Sequence, residues 1–189
     1  MWAEFARTTA GRDPRPLLNE ALALLPDAPG RALDLGCGAG NDTLALLAHG
    51  WSVTALDASP DALAVLRNRT RPHAARLTLI EGPFTAAPPR AFGLVYASLS
   101  LPFCPPEDWQ ATWQAVRAAL GPAGVLAATF FGPRDGWADR PDMTILSERE
   151  LRAALDGLEL LTWREREGPV QLALGGEHPS HLFTVIARR

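Results

Sequence analysis

The sequence predicts an α/β chain built on a buried, mostly parallel sheet, and three observations predict it. Short apolar runs recur at 31–35, 51–56, 76–80, 92–97 and 125–131, each of strand length and too continuous to leave one face in water. Segments of helical periodicity at 42–49, 59–71 and 107–120 alternate with them, the order that gives parallel strands joined by crossover helices. The first run also turns on alternating glycines, Gly36, Gly38 and Gly40, straight into a helical pattern. Such a turn presents bare backbone N–H groups and a helix N-terminus to a ligand.

Residues 1–15 are polar and arginine-bearing, with Trp2 and Phe5 at helical spacing. Pro16 to Leu25 reads as a helix with proline in its first turn and Leu17, Leu18, Leu22 and Leu25 inward. The stretch Arg31 to Asn41 then reads RALDLGCGAGN. A dinucleotide loop wants G-x-G-x-x-G, but here the third glycine comes one residue early and Asn41 takes its place. Asp34 stands two residues before the first glycine and Asp42 opens the helix. Two carboxylates beside a pyrophosphate would be repelled, by ~4 kcal/mol for unit charges 4 Å apart at an effective dielectric of 20. Beside an ammonium and a sulfonium they attract. The expected ligand is therefore a positively charged nucleoside without phosphate, S-adenosylmethionine, and a nicotinamide oxidoreductase is disfavoured. Asp57 ends the next apolar run about 20 residues past the glycines, where a ribose-binding acid belongs.

D-L-G-C-G-A-G at 34–40 and L-D at 56–57 resemble motifs one and two of the class I S-adenosylmethionine-dependent methyltransferases. The resemblance runs from about Arg31 to the C-terminus. It implies a Rossmann-like three-layer α/β/α sandwich whose seven-stranded, mostly parallel sheet ends in an antiparallel C-terminal hairpin strand. It implies one domain over 1–189, with an N-terminal arm and helix at 1–28 and the Rossmann-like core at 30–189. It also implies an enzyme that uses S-adenosyl-L-methionine as cofactor. The cofactor residues it points to are Asp34, Gly36, Cys37, Gly38, Asp57 and Ala58, with Ser98 at the fourth strand's end. Most members place an Asp after a Gly past strand three; this chain has Glu81-Gly82-Pro83-Phe84, so adenine is expected against Pro83 and Phe84. In such proteins the N-terminal addition folds over the cofactor or the acceptor pocket, where Arg12 and Arg15 could meet the cofactor's carboxylate. Phe130 to Trp137 and the terminal HLFTVIARR are similar, more loosely, to the tellurite-resistance-type small-molecule methyltransferases, whose acceptors include thiols and chalcogen oxyanions.

The remaining elements follow in order. His49-Gly50 stops the first core helix, the imidazole near its negative end. Ser59-Pro60-Asp61 caps the next, which closes on the run Arg67 to Arg71, expected to be solvated. FGLVYA at 92–97 is strand four. Cys104-Pro105-Pro106 turns into a helix whose Trp109, Trp113, Val116 and Leu120 form a packing stripe. Gly121 to Gly124 reads as the turn before strand five, and Gly132 to Met143 as a long polar loop carrying Trp137. Ser147 caps a short helix. Strand 158–166, a loop over 168–180 and strand 181–187 close the chain.

Composition narrows the function classes. The chain has 189 residues, 47% hydrophobic and 21% charged, with a net charge of −3, which suits one soluble domain and gives no electrostatic footprint for nucleic acid or anionic membrane. All 18 basic residues are arginine, which rules out Walker, Schiff-base and pyridoxal lysines. Cys37 and Cys104 form no framework and read as reduced, in keeping with a cytoplasmic protein. The start is not a signal peptide, and no apolar run can span a bilayer. The expected partner is a small molecule, the oligomeric state is open, and no metal is expected. His178 and His181 have a three-residue spacing, but Pro179 and the β pattern that follows argue against a helical metal pair. Acceptor contacts are sought among Tyr96, Ser98, Asp135, Trp137, Glu177, His178 and His181, with Arg134 and Arg140 available to an anion. Methyl transfer to a small-molecule acceptor (thiol, chalcogen oxyanion or similar) is the leading reading. A protein that binds the cofactor without turnover is the alternative.

Overall fold

The structure, a computed structural model, describes residues 2–26 and 28–189; Met1, Asp27 and the side chains of Trp2 and Ala3 lie outside the described residues. Seven strands form one sheet in the order β3-β2-β1-β4-β5-β7-β6. They are β1 (Arg31–Leu35), β2 (Ser52–Asp57), β3 (Leu77–Glu81), β4 (Phe92–Ala97), β5 (Leu120–Phe131), β6 (Glu159–Gln171) and β7 (Glu177–Arg188). The first five are parallel, while β7 runs antiparallel to both β5 and β6. The helices are α1 (Trp2–Thr9), α2 (Pro16–Ala23), α3 (Asn41–Ala48), α4 (Pro60–Arg69), α5 (Trp109–Ala119) and α6 (Glu148–Ala154).

Alternation along the buried strands sends side chains to both faces and builds two cores. Leu33, Leu35, Val95 and Ala97 pack with Trp113 and Val116 of α5 and Leu151 of α6. Ala32, Leu94 and Tyr96 pack on the other face with Leu17 and Leu18 of α2, Leu46 and Leu47 of α3, and Leu63 and Leu66 of α4. The result is the expected three-layer sandwich. Trp109 and Trp113 stack at 5.5 Å and both meet Phe130 edge-on, so this stripe is packing.

Several boundaries move. Gly121 to Gly124 is not a turn before a strand but a bulge within β5: Phe92 pairs with Leu120 and Leu94 with Val125, and the residues between loop out with Ala123 at φ 56°. The expected loop over 168–180 is mostly strand, because β6 and β7 pair in register from Glu159↔Arg188 to Gln171↔Glu177 around a glycine turn at 172–176. The arginine run is only partly solvated. Arg69 donates to the Ala39 carbonyl and to Asn41 Oδ1, tying the end of α4 to the glycine loop. Ser147 and Glu150 close a reciprocal capping box on α6, and His49 Nδ1 lies 2.8 Å from the Ala45 carbonyl at the end of α3.

Candidate active site

Strand order reverses between β1 and β4, and a crevice opens there beyond the carboxyl ends of the strands. It forms a cleft of about 870 Å³. Gly36 and Gly38 line its floor, Asp57 and Ala58 one side, Pro83 and Phe84 the far end, and Leu99 and Ser100 the β4 edge. Gly36 has φ +70°, and a Cβ built on it would lie 2.4 Å from Ser100 Cβ, so no side chain fits where the loop passes β4. Ser100 Oγ is buried there with no partner among the described residues. Leu99, at φ 52°, is held in that strained conformation by its N–H bond to Thr129 Oγ1 at 2.7 Å.

Asp57 is the organising acid. Its Oδ2 accepts the Gly38 N–H and its Oδ1 the Ser59 N–H, both at 2.8 Å. Each oxygen keeps acceptor capacity, and the two are fixed side by side, as a vicinal diol requires. The open floor at Gly36, the orphaned Ser100 hydroxyl and the oriented Asp57 carboxylate fit a ribonucleoside. Gly36 and Gly38 would border it, Asp57 would hold the ribose, and Pro83 and Phe84 would flank the base.

Two expected cofactor residues lie behind this wall. Asp34 is 3% exposed and its Oδ2 accepts from Thr43 Oγ1 at 2.5 Å. Burial, and then the nearby Asp42 charge, push its carboxyl up to about 7 against the Thr43 hydrogen bond, so it is not the freely ionised partner the sequence suggested. Cys37 is buried, and burial pushes its thiol up. Asp42 does not face the ligand either: it accepts the Arg15 N–H at 2.8 Å. The same helix turn holds the arm again, since Asn41 Nδ2 donates to the Thr9 carbonyl and Asn41 Oδ1 accepts from Gly11 N–H. Latched this way, the arm places Phe5, Arg12 and Arg15 on the cleft wall.

The other end is roofed by the C-terminal hairpin. β5 stops at Phe131↔Leu182, while β6 and β7 continue from Arg166↔Leu182 to Gln171↔Glu177. The pair overhangs the sheet edge by roughly five residues, or ~17 Å. Under it the 132–147 segment folds around Asp135, whose side chain is 0% exposed. Asp135 Oδ1 meets His178 Nε2 at 2.8 Å and the Trp137 N–H at 3.0 Å, and Oδ2 accepts the His181 N–H at 3.0 Å. Trp137 is half-buried, packed on Phe103, Phe131 and the His178 ring. Trp137 and His178 line the cleft.

The structure thus brings ten of the expected residues onto the cleft wall: Arg12, Arg15, Gly36, Gly38, Asp57, Ala58, Pro83, Phe84, Trp137 and His178. Tyr96 does not reach it. Strand alternation turns it into the α2–α3 core, 1% exposed. Ser98 falls one residue short, and its neighbours Leu99 and Ser100 take the wall. His181 points to the opposite face from His178, its Nε2 on Glu165 and its Nδ1 accepting the Arg134 N–H. Arg134 is paired with Glu165 and Glu167, and Arg140 with Asp142, so neither guanidinium is held ready for an anion. Glu177 is exposed at the hairpin end. Arg166, Phe103 and Ser100 were not anticipated. A signal for the buried histidines did exist in the two loop glycines: a Cβ on Gly132 would strike His181, and one on Gly136 would come within 2.9 Å of His178.

Residues 32–124 match the family model described as a methyltransferase domain. Over these residues the chain matches the methyltransferase-domain family, and its fold is that of the class I S-adenosylmethionine-dependent methyltransferases. It is 47% identical over 70 residues to ribosomal RNA small subunit methyltransferase H of Rhizobium etli, covering 36% of this chain and 20% of that protein. It is 34% identical over 128 residues to trans-aconitate 2-methyltransferase of Rhizobium meliloti, covering 66% of this chain and 45% of that protein. The chain therefore spans less than half the length of either relative. TehB from Haemophilus influenzae superposes with a TM-score of 0.80 at 19% identity, over 93% of this chain and 62% of that one, a likeness of fold. The family's cofactor is S-adenosyl-L-methionine, and the nucleoside-shaped half of the cleft fits it.

Proposed function

We propose that this methyltransferase-family chain moves a methyl group from S-adenosylmethionine to a small-molecule acceptor (a thiol, a chalcogen oxyanion or similar) by in-line displacement. The observation that carries this reading is the continuity of one cleft from the Gly36–Asp57 floor to a chamber roofed by the hairpin and Trp137. The cofactor supplies an activated methyl group on a sulfonium, so the chain need only orient the acceptor and exclude water. Asp57 and the glycine loop hold the nucleoside, and Arg12 and Arg15 face the cofactor's carboxylate. Trp137 closes the acceptor end against water, and Arg166 gives that end a positive charge.

A small acceptor suits the volume, since one cleft of about 870 Å³ has to hold it together with the cofactor. It also suits the net charge of −3, which gives no attraction for a polyanion. The trans-aconitate relative acts on a small molecule by name, and its match is longer than that of the ribosomal RNA relative. Among the described residues no helix is long and apolar enough to cross a membrane, and we propose a cytoplasmic setting with neither nucleic acid nor membrane as partner. Incubation with methyl-labelled S-adenosylmethionine and a panel of thiols, oxyanions, halides and amines tests the proposal. Transfer to a member of the panel is expected. Tight cofactor binding with no transfer to any of them would favour a cofactor-sensing protein.

A further inference from the structure

Resting on that reading, we propose that His178 is the base that takes the acceptor's proton and that Asp135 positions it. The acceptor is then a thiol or hydroxyl compound, a protonated chalcogen oxyacid included, and not a nucleophile that arrives without a proton. His178 is 7% exposed and lies on the overhanging part of β7, on the strand face it shares with Ser180 and Leu182, all three lining the cleft. Its Nε2 sits 2.8 Å from Asp135 Oδ1. Asp135 already accepts two backbone N–H groups, from Trp137 and His181. A carboxylate on which donors converge is an acceptor, so Nε2 carries the hydrogen and Nδ1 keeps the lone pair. Nδ1 has no hydrogen-bond partner among the described residues.

The ring is held for this and cannot easily turn. Trp137 lies against it, centroid to centroid at 4.1 Å, and the absent side chain of Gly136 leaves the room it occupies. His181 shows the contrast three residues on: both of its nitrogens are engaged, by Glu165 and by the Arg134 N–H. The charged groups facing His178 are Asp135 from the 132–147 segment and Arg166 from β6, with Asp57, Asp61, Asp108, Arg12 and Arg15 farther along the same cleft. β7 adds Ser180 and Leu182, both uncharged, to the same cleft wall.

The step balances. His178 Nδ1 takes the proton from the acceptor's S–H or O–H, and the freed electron pair forms the bond to the methyl carbon. The methyl–sulfur bond breaks with its pair left on sulfur, which becomes a neutral thioether. The positive charge passes from sulfonium to imidazolium, where the buried Asp135 carboxylate faces it, and the proton then leaves to water.

Two measurements decide. The first uses the protein saturated with S-adenosylhomocysteine at alkaline pH, with its four histidines labelled with nitrogen-15 and the His178 signals assigned by His178→Gln. Nitrogen NMR should show hydrogen on Nε2 and a bare Nδ1; hydrogen on Nδ1 overturns the proposal. The second compares methylation of mercaptoethanol and catechol, which must lose a proton, with that of iodide and dimethyl selenide, which need not. His178→Gln can still donate to Asp135 and should bind S-adenosylhomocysteine normally. It should lose turnover of the first pair by about 100-fold or more and spare the second pair. Asp135→Asn should lower kcat more than it changes KM and move the pH profile. Equal turnover of mercaptoethanol and catechol by wild type and His178→Gln overturns the base while leaving the small-acceptor reading intact. So does wild-type turnover of iodide or dimethyl selenide alone. Product binding with no turnover of any of the four sinks the small-acceptor reading, and this inference with it.

Discussion

Asp57 serves two partners with one carboxylate, because the N–H groups that orient it come from the loop and helix start that border the ligand. Asp57→Ala should therefore weaken S-adenosylmethionine binding by about 1.5–3 kcal/mol for each charge-assisted bond lost, less what entering water recovers. Calorimetry giving unchanged affinity in a folded variant would reduce Asp57 to a loop brace. Asp34 makes the opposite kind of prediction. Its folded pKa of about 7 stands above the ordinary 3.8 of an aspartate, so folding favours its protonated form. Its contribution to stability is complete below about pH 4 and is lost as pH rises through 7, by as much as about 4 kcal/mol. Asp34→Asn should remove this slope, so that wild type loses stability relative to the variant between those pH values. Parallel curves for the two proteins would mean that Asp34 is ionised in the fold. The sequence placed both acids correctly beside the glycine turn. It could not show that Thr43, nine residues on in the first turn of α3, would draw Asp34 out of the cleft, because burial is set by packing and not by local pattern.

At the scale of elements, the sheet's parallel half was legible because buried parallel strands are apolar runs punctuated by glycine and proline. The hairpin was less so: β6 reads TWREREGPVQ over its last ten residues, and a two-stranded overhang with solvent on one face lacks the hydrophobic signal that marks a strand. The acceptor end was the hardest part to foresee, since Asp135, His178 and Arg166 come from three segments joined only by that overhang. Trp137 tests what the segment beneath it does. Its ring packs on Phe103, Phe131 and His178, so Trp137→Ala should cost the apo fold roughly 1–2 kcal/mol, a fall of ~2–8 °C in Tm. Cofactor affinity should stay near wild type while acceptor turnover falls, because water enters the chamber. Unchanged turnover of a real acceptor would leave Trp137 a packing residue alone.

For the molecule as a whole, S-adenosylmethionine or its demethylated product at a hundredfold excess over Kd should add about 2.7 kcal/mol of stability, roughly 5–10 °C in Tm. NAD should add none, since Asp57 and Asp61, the carboxylates left on the cleft wall beside the glycine loop, would repel its pyrophosphate. Equal shifts from both ligands would contradict the cofactor assignment.

The latch between the arm and α3 bears on timing. Thr9, Gly11 and Arg15 are pinned by Asn41 and Asp42, at the helix end that borders the ligand, while Phe5, Arg12 and Arg15 form the adjoining wall. A ligand that lies behind that wall leaves only when the latch lets go. Residence time is then governed by three hydrogen bonds that never touch the ligand. Asn41→Ala should shorten it, and the arrival rate should rise in step, so that affinity conceals the change. Stopped-flow measurements would expose it, where an equilibrium titration would see a protein that had scarcely altered.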